Sequence, residues 1–155
     1  MRVVIQRVSR AQVTSGQSLL GRIEKGLLIF LGVGKGDTHR EVTEMVEKIV
    51  NLRIFENEEG RFDRSLLDLQ GEVLVVSQFT LYADCRKGRR PSFTEAASPQ
   101  EALPLYHKFI EELSCRGLHV EAGSFGERMQ VELVNEGPVT ICLEISPGCK
   151  EGGVK

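Results

Sequence analysis

Apolar and polar positions recur along the chain in three patterns, and each predicts its own kind of element. Continuous apolar runs are the first. Gly26-Leu27-Leu28-Ile29-Phe30-Leu31-Gly32-Val33 is apolar throughout between bounding glycines, which predicts a strand buried on both faces. Glu72-Val73-Leu74-Val75-Val76-Ser77-Gln78-Phe79-Thr80-Leu81 predicts a second central strand. Residues 2–8 and 10–15 read as strands, followed by a turn at Ser15-Gly16 and a short strand over 18–24.

The second pattern has the helical period. Thr38-His39-Arg40-Glu41 has the form of a capping box, in which hydroxyl and carboxylate satisfy backbone N–H groups left over at a helix start. Val42, Met45, Val46, Ile49 and Val50 then form one stripe. A second helix opens at Ser98 with Pro99 in its first position and Glu101 completing the box. Leu105, Tyr106, Phe109, Ile110 and Leu113 form its buried face, and Gly117 is its expected end. Strict alternation is the third pattern. Met129, Val131 and Leu133 form one half-buried strand, and Val139, Ile141, Leu143 and Ile145 another. Asn135-Glu136-Gly137-Pro138 would join them as a hairpin or tight connection. Cys142, within that apolar pattern, is expected at or near the core.

Strands outnumber helices by seven or eight to two without alternating with them. The expected architecture is therefore α+β: a strand-rich single domain of mainly antiparallel or mixed sheet, barrel-like, with two main helices packed on one face. It should occupy residues 1–145, with 146–155 a flexible tail. The length of 155 residues suits one domain and implies a radius near ~15 Å. No apolar run approaches a membrane span, and charge returns by Arg7, so neither an anchor nor a signal peptide is expected. The four cysteines form no CxxC pair, so reduced thiols in the cytoplasm are the expectation.

A net charge of −2 excludes a globally basic, non-specific binder of nucleic acid, and any polyanion must meet a local patch. Arg86-Lys87-Gly88-Arg89-Arg90, followed by Pro91-Ser92-Phe93, is that patch: four positive charges in five residues. Guanidinium groups fork onto phosphate oxygens, though a solvated basic loop has the same composition. Several familiar motifs fail. Gly32-Val33-Gly34-Lys35-Gly36-Asp37-Thr38 lacks the spacing of a phosphate loop or dinucleotide fingerprint and reads as a strand-to-helix turn. His39, His107 and His119 are too scattered for a metal site, and no nucleophile elbow is present, so no metal or cofactor is expected.

Two further segments carry possible chemistry. Ser77-Gln78-Phe79-Thr80 turns polar at the end of an apolar strand, where hydroxyls, an amide and backbone N–H groups can hold a carbonyl or oxyanion. It also reads as a strand with a solvated face, and Thr80 has no base partner in sequence. Gly137-Pro138 reads as an ordinary turn or as a cis peptide.

Taken together, the chain resembles the D-aminoacyl-tRNA deacylases, also called D-tyrosyl-tRNA deacylases. Ser77-Gln78-Phe79-Thr80-Leu81 is similar to the family's SQFTL motif and Asn135-Glu136-Gly137-Pro138-Val139-Thr140 to its NxGPxT motif. MRVVIQRV, NLRIFENEEG, YADCRKGRRPSF and the FGxxM at Phe125 to Met129 fit as well, so the resemblance runs from Met1 to about Ile145.

The resemblance implies hydrolysis of the ester between a D-amino acid and tRNA, with L-aminoacyl-tRNA rejected and glycyl-tRNA accepted to some degree. It implies catalysis assisted by the ribose 2'-OH. Backbone N–H groups near Phe79 and Thr80 would hold the oxyanion, with Ser77 and Gln78 lining the adenosine and carbonyl region. It implies a homodimer in which a cis Gly137-Pro138 enters the partner's site, and apolar walls at Phe125 and Met129. Arg86, Lys87, Arg89 and Arg90 would meet acceptor-stem phosphates; neither DNA nor a membrane is an expected partner. Thr80 as a covalent nucleophile, a non-catalytic RNA-binding module and an interaction scaffold are the competing readings.

Overall fold

The computed structural model describes residues 1–148. The sequence expectation of a tail over 146–155 falls largely outside them, as does Cys149. Its strands are β1 (Arg2–Ser15), β2 (Ser18–Ile23), β3 (Gly26–Gly32), β4 (Phe55–Glu56), β5 (Phe62–Arg64), β6 (Glu72–Ser77), β7 (Val120–Ala122) and β8 (Gln130–Glu144). The helices are α1 (His39–Asn51), α2 (Leu66–Leu69) and α3 (Pro99–Cys115), with a 3₁₀ turn over Phe79–Tyr82. No helix among the described residues is long and apolar enough to cross a membrane.

The main sheet runs β2-β1-β3-β6-β7, with β8 on the other side of β1. Pairs made by β1 are antiparallel, while β3–β6 and β6–β7 are parallel. β2 curls back to β7, so a Cβ on Gly21 would lie 3.2 Å from the Ala122 carbonyl oxygen, and the sheet becomes a nearly closed barrel. The α+β, barrel-like expectation holds. The sheet is mixed, and the short helix α2, capped by Ser65 and Asp68, adds a third helix.

The double burial expected of β3 has a concrete form. Leu27, Ile29 and Leu31, with Val73 and Val75 of β6, pack under Val42, Met45 and Ile49 of α1 and Leu105 and Phe109 of α3. Leu28, with Leu74 and Val76, faces the barrel interior, beside Val8, Val13 and Ile23. Both main helices start where the sequence places them. The Thr38 N–H donates to the Glu41 carboxylate (2.7 Å), and the Ser98 N–H to that of Glu101 (3.0 Å). Gly117 follows the α3 cap residue Arg116 with φ +79°, the left-handed conformation that ends many helices.

Four expectations are corrected. Residues 2–8 and 10–15 form one strand, broken only by irregular pairing with β8 around Val8. The expected strands over 129–133 and 139–145 are not a hairpin: all but the end residues Met129 and Ile145 belong to the single strand β8, and both halves pair with β1. The central strand stops at Ser77 instead of continuing to Leu81. Cys142 is exposed, because it lies on the outward side of an alternation whose inward residues are Val139, Ile141 and Leu143.

Candidate active site

β6 delivers Ser77 and Gln78, both half-buried, to the rim of the sheet, and the chain then folds into the Phe79–Tyr82 turn. The turn replaces a strand because neighbouring segments receive it there. The Gln78 N–H donates to the Leu31 carbonyl (2.8 Å), which pins the entry to β3. A Cβ on Gly32 would sit 3.0 Å from the Gln78 carbonyl oxygen, and one on Gly34 would sit 2.5 Å from Tyr82 Oη. The glycine-rich stretch after β3 is thus a floor on which the turn lies. The Leu81 and Ala83 N–H groups close the turn onto the carbonyls of Gln78 and Thr80. The N–H groups of Phe79 and Thr80, first in the turn, have no acceptor among the described residues.

Beside this turn lies a cavity of about 570 Å³. Ser77, Gln78 and Phe79 form one wall, Phe125 and Met129 another, and Phe93 and the start of α3 close the third side. Tyr106 of α3 reaches it from below. Its hydroxyl lies within hydrogen-bond distance of the carbonyls of Val75 (3.2 Å) and Gly123 (3.1 Å), joining the strand wall to the Phe125 wall. The Phe125 ring rests against Tyr106 at 5.5 Å. Burial pushes the Tyr106 phenol up to about 12, so it remains a neutral donor. Tyr106 and Glu127 are the titratable groups in the lining.

Ser77, Gln78, Phe79, Phe125 and Met129 therefore meet at one cavity, and Thr80 lies just outside its lining. The Thr80 hydroxyl accepts a hydrogen bond from the Gln78 amide. An amide in either orientation is no base, so the contact does not activate the hydroxyl as a nucleophile. Phe79 is 58% exposed and meets Phe93 edge to face, with ring centroids 5.0 Å apart.

The basic segment rises from the same rim. Asp84 and Ser92 pair through both backbone hydrogen bonds (2.7 and 2.9 Å) and pinch off the exposed loop between them, one residue before Phe93. Its four charges are not equivalent. Arg86 forks onto the Asp84 carboxylate (2.9 and 2.7 Å), and that hydrogen bonding holds the Asp84 carboxyl at about 2. Lys87, Arg89 and Arg90 make no ion pair among the described residues.

Gly137 and Pro138 do not join the cavity of their own chain. They are exposed, their peptide bond is cis, and they lie in a bulge where Glu136 to Val139 all stand opposite Arg7. Two residues hold this bulge: Arg7, which sequence reasoning did not single out, and Asn135, which it named only as the start of a motif. Arg7, 4% exposed, donates from Nε to the Glu136 carbonyl (2.8 Å) and from Nη1 to the Ile54 carbonyl (2.7 Å). Asn135 receives the Val139 N–H on Oδ1 (2.7 Å) and donates to the Val139 carbonyl (3.0 Å) and to Gln6 (2.8 Å). Gly137 has φ +148°, and a Cβ there would lie 2.8 Å from the Val139 N. A charge at an inward position of β1, in line with Val3 and Ile5, was the readable signal for Arg7.

The chain thus carries a donor turn beside a cavity, a basic loop at its rim and a braced Gly-Pro bulge. The profile of the family D-Tyr-tRNA(Tyr) deacylase matches residues 4–144. The chain belongs to this family of hydrolases. A protein of Roseiflexus castenholzii named D-aminoacyl-tRNA deacylase is 61% identical over 144 residues, covering 93% of this chain and 92% of that one. One of Thermotoga petrophila with the same name is 54% identical over 146 residues (94% and 98%). Among solved structures, one described as c-Myc DNA Unwinding Element Binding Protein superposes with a TM-score of 0.88 at 43% identity, covering 94% and 99%. A probable eukaryotic D-amino acid tRNA deacylase shares the fold at a TM-score of 0.80 and 19% identity (93% and 98%). The Ser77–Thr80 and Gly137-Pro138 segments of this deacylase-family chain both lie inside the matched range.

Proposed function

We propose that the protein hydrolyses the ester of D-aminoacyl-tRNA, releasing free amino acid and tRNA, and acts in the cytoplasm as a chiral proofreader. The observation that carries this reading is the pair of unengaged N–H groups of Phe79 and Thr80 beside the cavity. Such donors stabilise the oxyanion formed when the ester carbonyl is attacked, in a place that excludes much of the solvent. Ser77 and Gln78 line the region of the carbonyl and terminal adenosine, and Phe125 and Met129 provide apolar walls. The cavity presents no imidazole, and Glu127 and the neutral Tyr106 are its titratable groups. That inventory favours an attack on an already activated ester, with the ribose 2'-OH of the substrate assisting. It disfavours Thr80 as a covalent nucleophile.

Selectivity is assigned to Gly137 and Pro138, acting on the cavity of a second copy in a homodimer. Their exposure and their absence from their own cavity's lining support this. Backbone carbonyls of the bulge would take the α-ammonium, an L side chain would meet main chain, and a D side chain would not. A glycyl ester offers nothing to reject and would be cleaved to some degree. Lys87, Arg89 and Arg90 would meet acceptor-stem phosphates, with Arg86 in a lesser role because Asp84 already neutralises it.

The test is a paired deacylation assay with D- and L-tyrosyl-tRNA. The expected result is hydrolysis of the D ester with the L ester spared; equal rates would sink the selectivity, and salt-sensitive RNA binding without hydrolysis would leave a binding module. The solved relative named for a DNA element makes DNA a useful competitor in the same assay. The proposal expects DNA to compete only through the loop charges, and therefore only at low salt.

A further inference from the structure

The four-residue turn that carries the Phe79 and Thr80 donors is held from beneath by Gly32 and Gly34 and at its entry by Leu31. Its far end needs another support. The Thr80 carbonyl receives the Ala83 N–H, whereas the Leu81 carbonyl meets no backbone donor from outside the turn among the described residues and is held by Arg2 Nη1 at 3.1 Å. The same guanidinium lies over the Tyr82 ring at 4.5 Å from the centroid. Arg2 Nε, buried, lies 3.1 Å from Glu144 Oε1 on β8 but is not aligned for a hydrogen bond. The guanidinium thus ties three things together: the Leu81 carbonyl of the turn, its terminal aromatic ring, and the strand that carries Gly137 and Pro138.

We propose that Arg2 is a positioning residue of the deacylase site, fixing the Phe79–Tyr82 turn, and so the aim of its leading N–H groups, through Leu81 O and the Tyr82 ring. The inference rests on the proposed role of those N–H groups. A purely structural role fits poorly. The Arg2 side chain is 37% exposed, its ion partner Glu144 is 52% exposed, and its hydrogen bond goes to the turn. A planar guanidinium suits the place because it can donate in its plane and stack on a ring with its face.

The experiment compares wild type, Arg2→Lys and Arg2→Met in single-turnover and steady-state hydrolysis of D-tyrosyl-tRNA, alone and in a Thr80→Ala background. Arg2→Met keeps most of the apolar stem but removes donor and charge. A small displacement of reacting groups costs up to about 100-fold, so kcat should fall by about 10- to 100-fold with KM and melting temperature nearly unchanged. Arg2→Lys, able to donate but not to stack in a plane, should recover part of the loss. In the Thr80→Ala background, Arg2→Met should lower kcat by the same factor relative to Thr80→Ala alone. A wild-type kcat in Arg2→Met, or a rise in KM alone, overturns the positioning role while the backbone reading stands. Abolished turnover in Thr80→Ala with substrate still bound overturns the backbone reading and the inference built on it. Should Arg2→Met fail to fold, Glu144→Gln weakens the charged anchor at an exposed site and should give the same split at smaller amplitude; an unchanged kcat there overturns the proposal.

Discussion

Replacing Gly34 by alanine isolates the contact between the glycine floor and the donor turn. The new Cβ would lie 2.5 Å from Oη, 2.6 Å from Cζ and 2.9 Å from Cε1 of Tyr82. Comfortable contacts between such atoms begin near ~3.5 Å, so the ring must retreat by about 1 Å. Retreat is costly because Tyr82 is only 8% exposed and already carries the Arg2 guanidinium over its ring. Overpacking of this kind costs about 1–3 kcal/mol, and the lower unfolded-state entropy of alanine returns about 0.4–1 kcal/mol. The net loss of roughly 1–2 kcal/mol corresponds to a melting temperature lowered by roughly 2–8 °C for a chain of this size. Catalysis should suffer more than stability, since a turn displaced by about 1 Å can lose on the order of 100-fold in rate. Calorimetry and single-turnover hydrolysis of D-tyrosyl-tRNA measure the two effects. Adding Tyr82→Phe removes the nearest atom but leaves Cζ, so it should restore only part of each. A Gly34→Ala protein with unchanged melting and a rate within about twofold of wild type would refute the reasoning.

Three other outcomes follow from the same contacts. Asn135→Ala removes the acceptor of the Val139 N–H and the donor to its carbonyl; it should cost about 1–3 kcal/mol in urea unfolding and raise hydrolysis of the L ester relative to the D ester. Asp84→Asn releases Arg86 from its pair, so RNA affinity should rise at low salt and the slope of log K against log salt should steepen by roughly 0.7–0.9. Because the folded Asp84 carboxyl is held at about 2, the wild-type pair persists as pH falls until that region, and RNA affinity should show no step from it near neutrality. Tyr106→Phe should cost about 0.5–1.5 kcal/mol and leave the shape of the pH–rate profile between about pH 6 and 9 unchanged, since burial keeps the phenol protonated up to about 12.

What was legible in the sequence follows the range of the forces involved. Both helix starts depend on residues three apart, Thr38 with Glu41 and Ser98 with Glu101, and a local signal of that kind survives without tertiary information. The two-faced burial of β3 was legible because Leu27 to Leu31 offer no polar face. The end of β6 was not. Phe79 and Leu81 continue a strand-like alternation, and Leu31, Gly32, Gly34 and Arg2, all distant in sequence, receive it as a 3₁₀ turn. The continuity of β8 was hidden for a similar reason. A Gly-Pro pair usually ends a strand, and the groups that carry the chain across it, Arg7 and Gln6, lie 129 residues before the residues they bond. The pairing of Arg86 with Asp84 was local yet missed, because a count of positive charges passed over the carboxylate two residues before them. Of the site itself, the Ser77–Phe79 wall and the Phe125 and Met129 walls were legible as segments, whereas Phe93 and Tyr106 were legible only as neighbours of a charge run and as a helix face.

The Gly137-Pro138 bulge and the basic loop also differ in how freely evolution or an engineer can change their length. The bulge interrupts the longest strand pair of the barrel; pairing with β1 is regular from Thr140 to Glu144 on one side and, past a second irregularity beyond Val8, from Val134 to Gln130 on the other. Val131 and Leu133 before it and Ile141 and Leu143 after it all point inward. One residue inserted or deleted between Asn135 and Val139 would force the downstream half either to slip along β1 or to turn Ile141 and Leu143 to solvent. The loop beyond Asp84 and Ser92 carries no such constraint, because the pinch at its base is complete whatever its length. Indels should therefore be absent from the bulge and common in the basic loop, so that the loop can change its reach while the bulge keeps a fixed length.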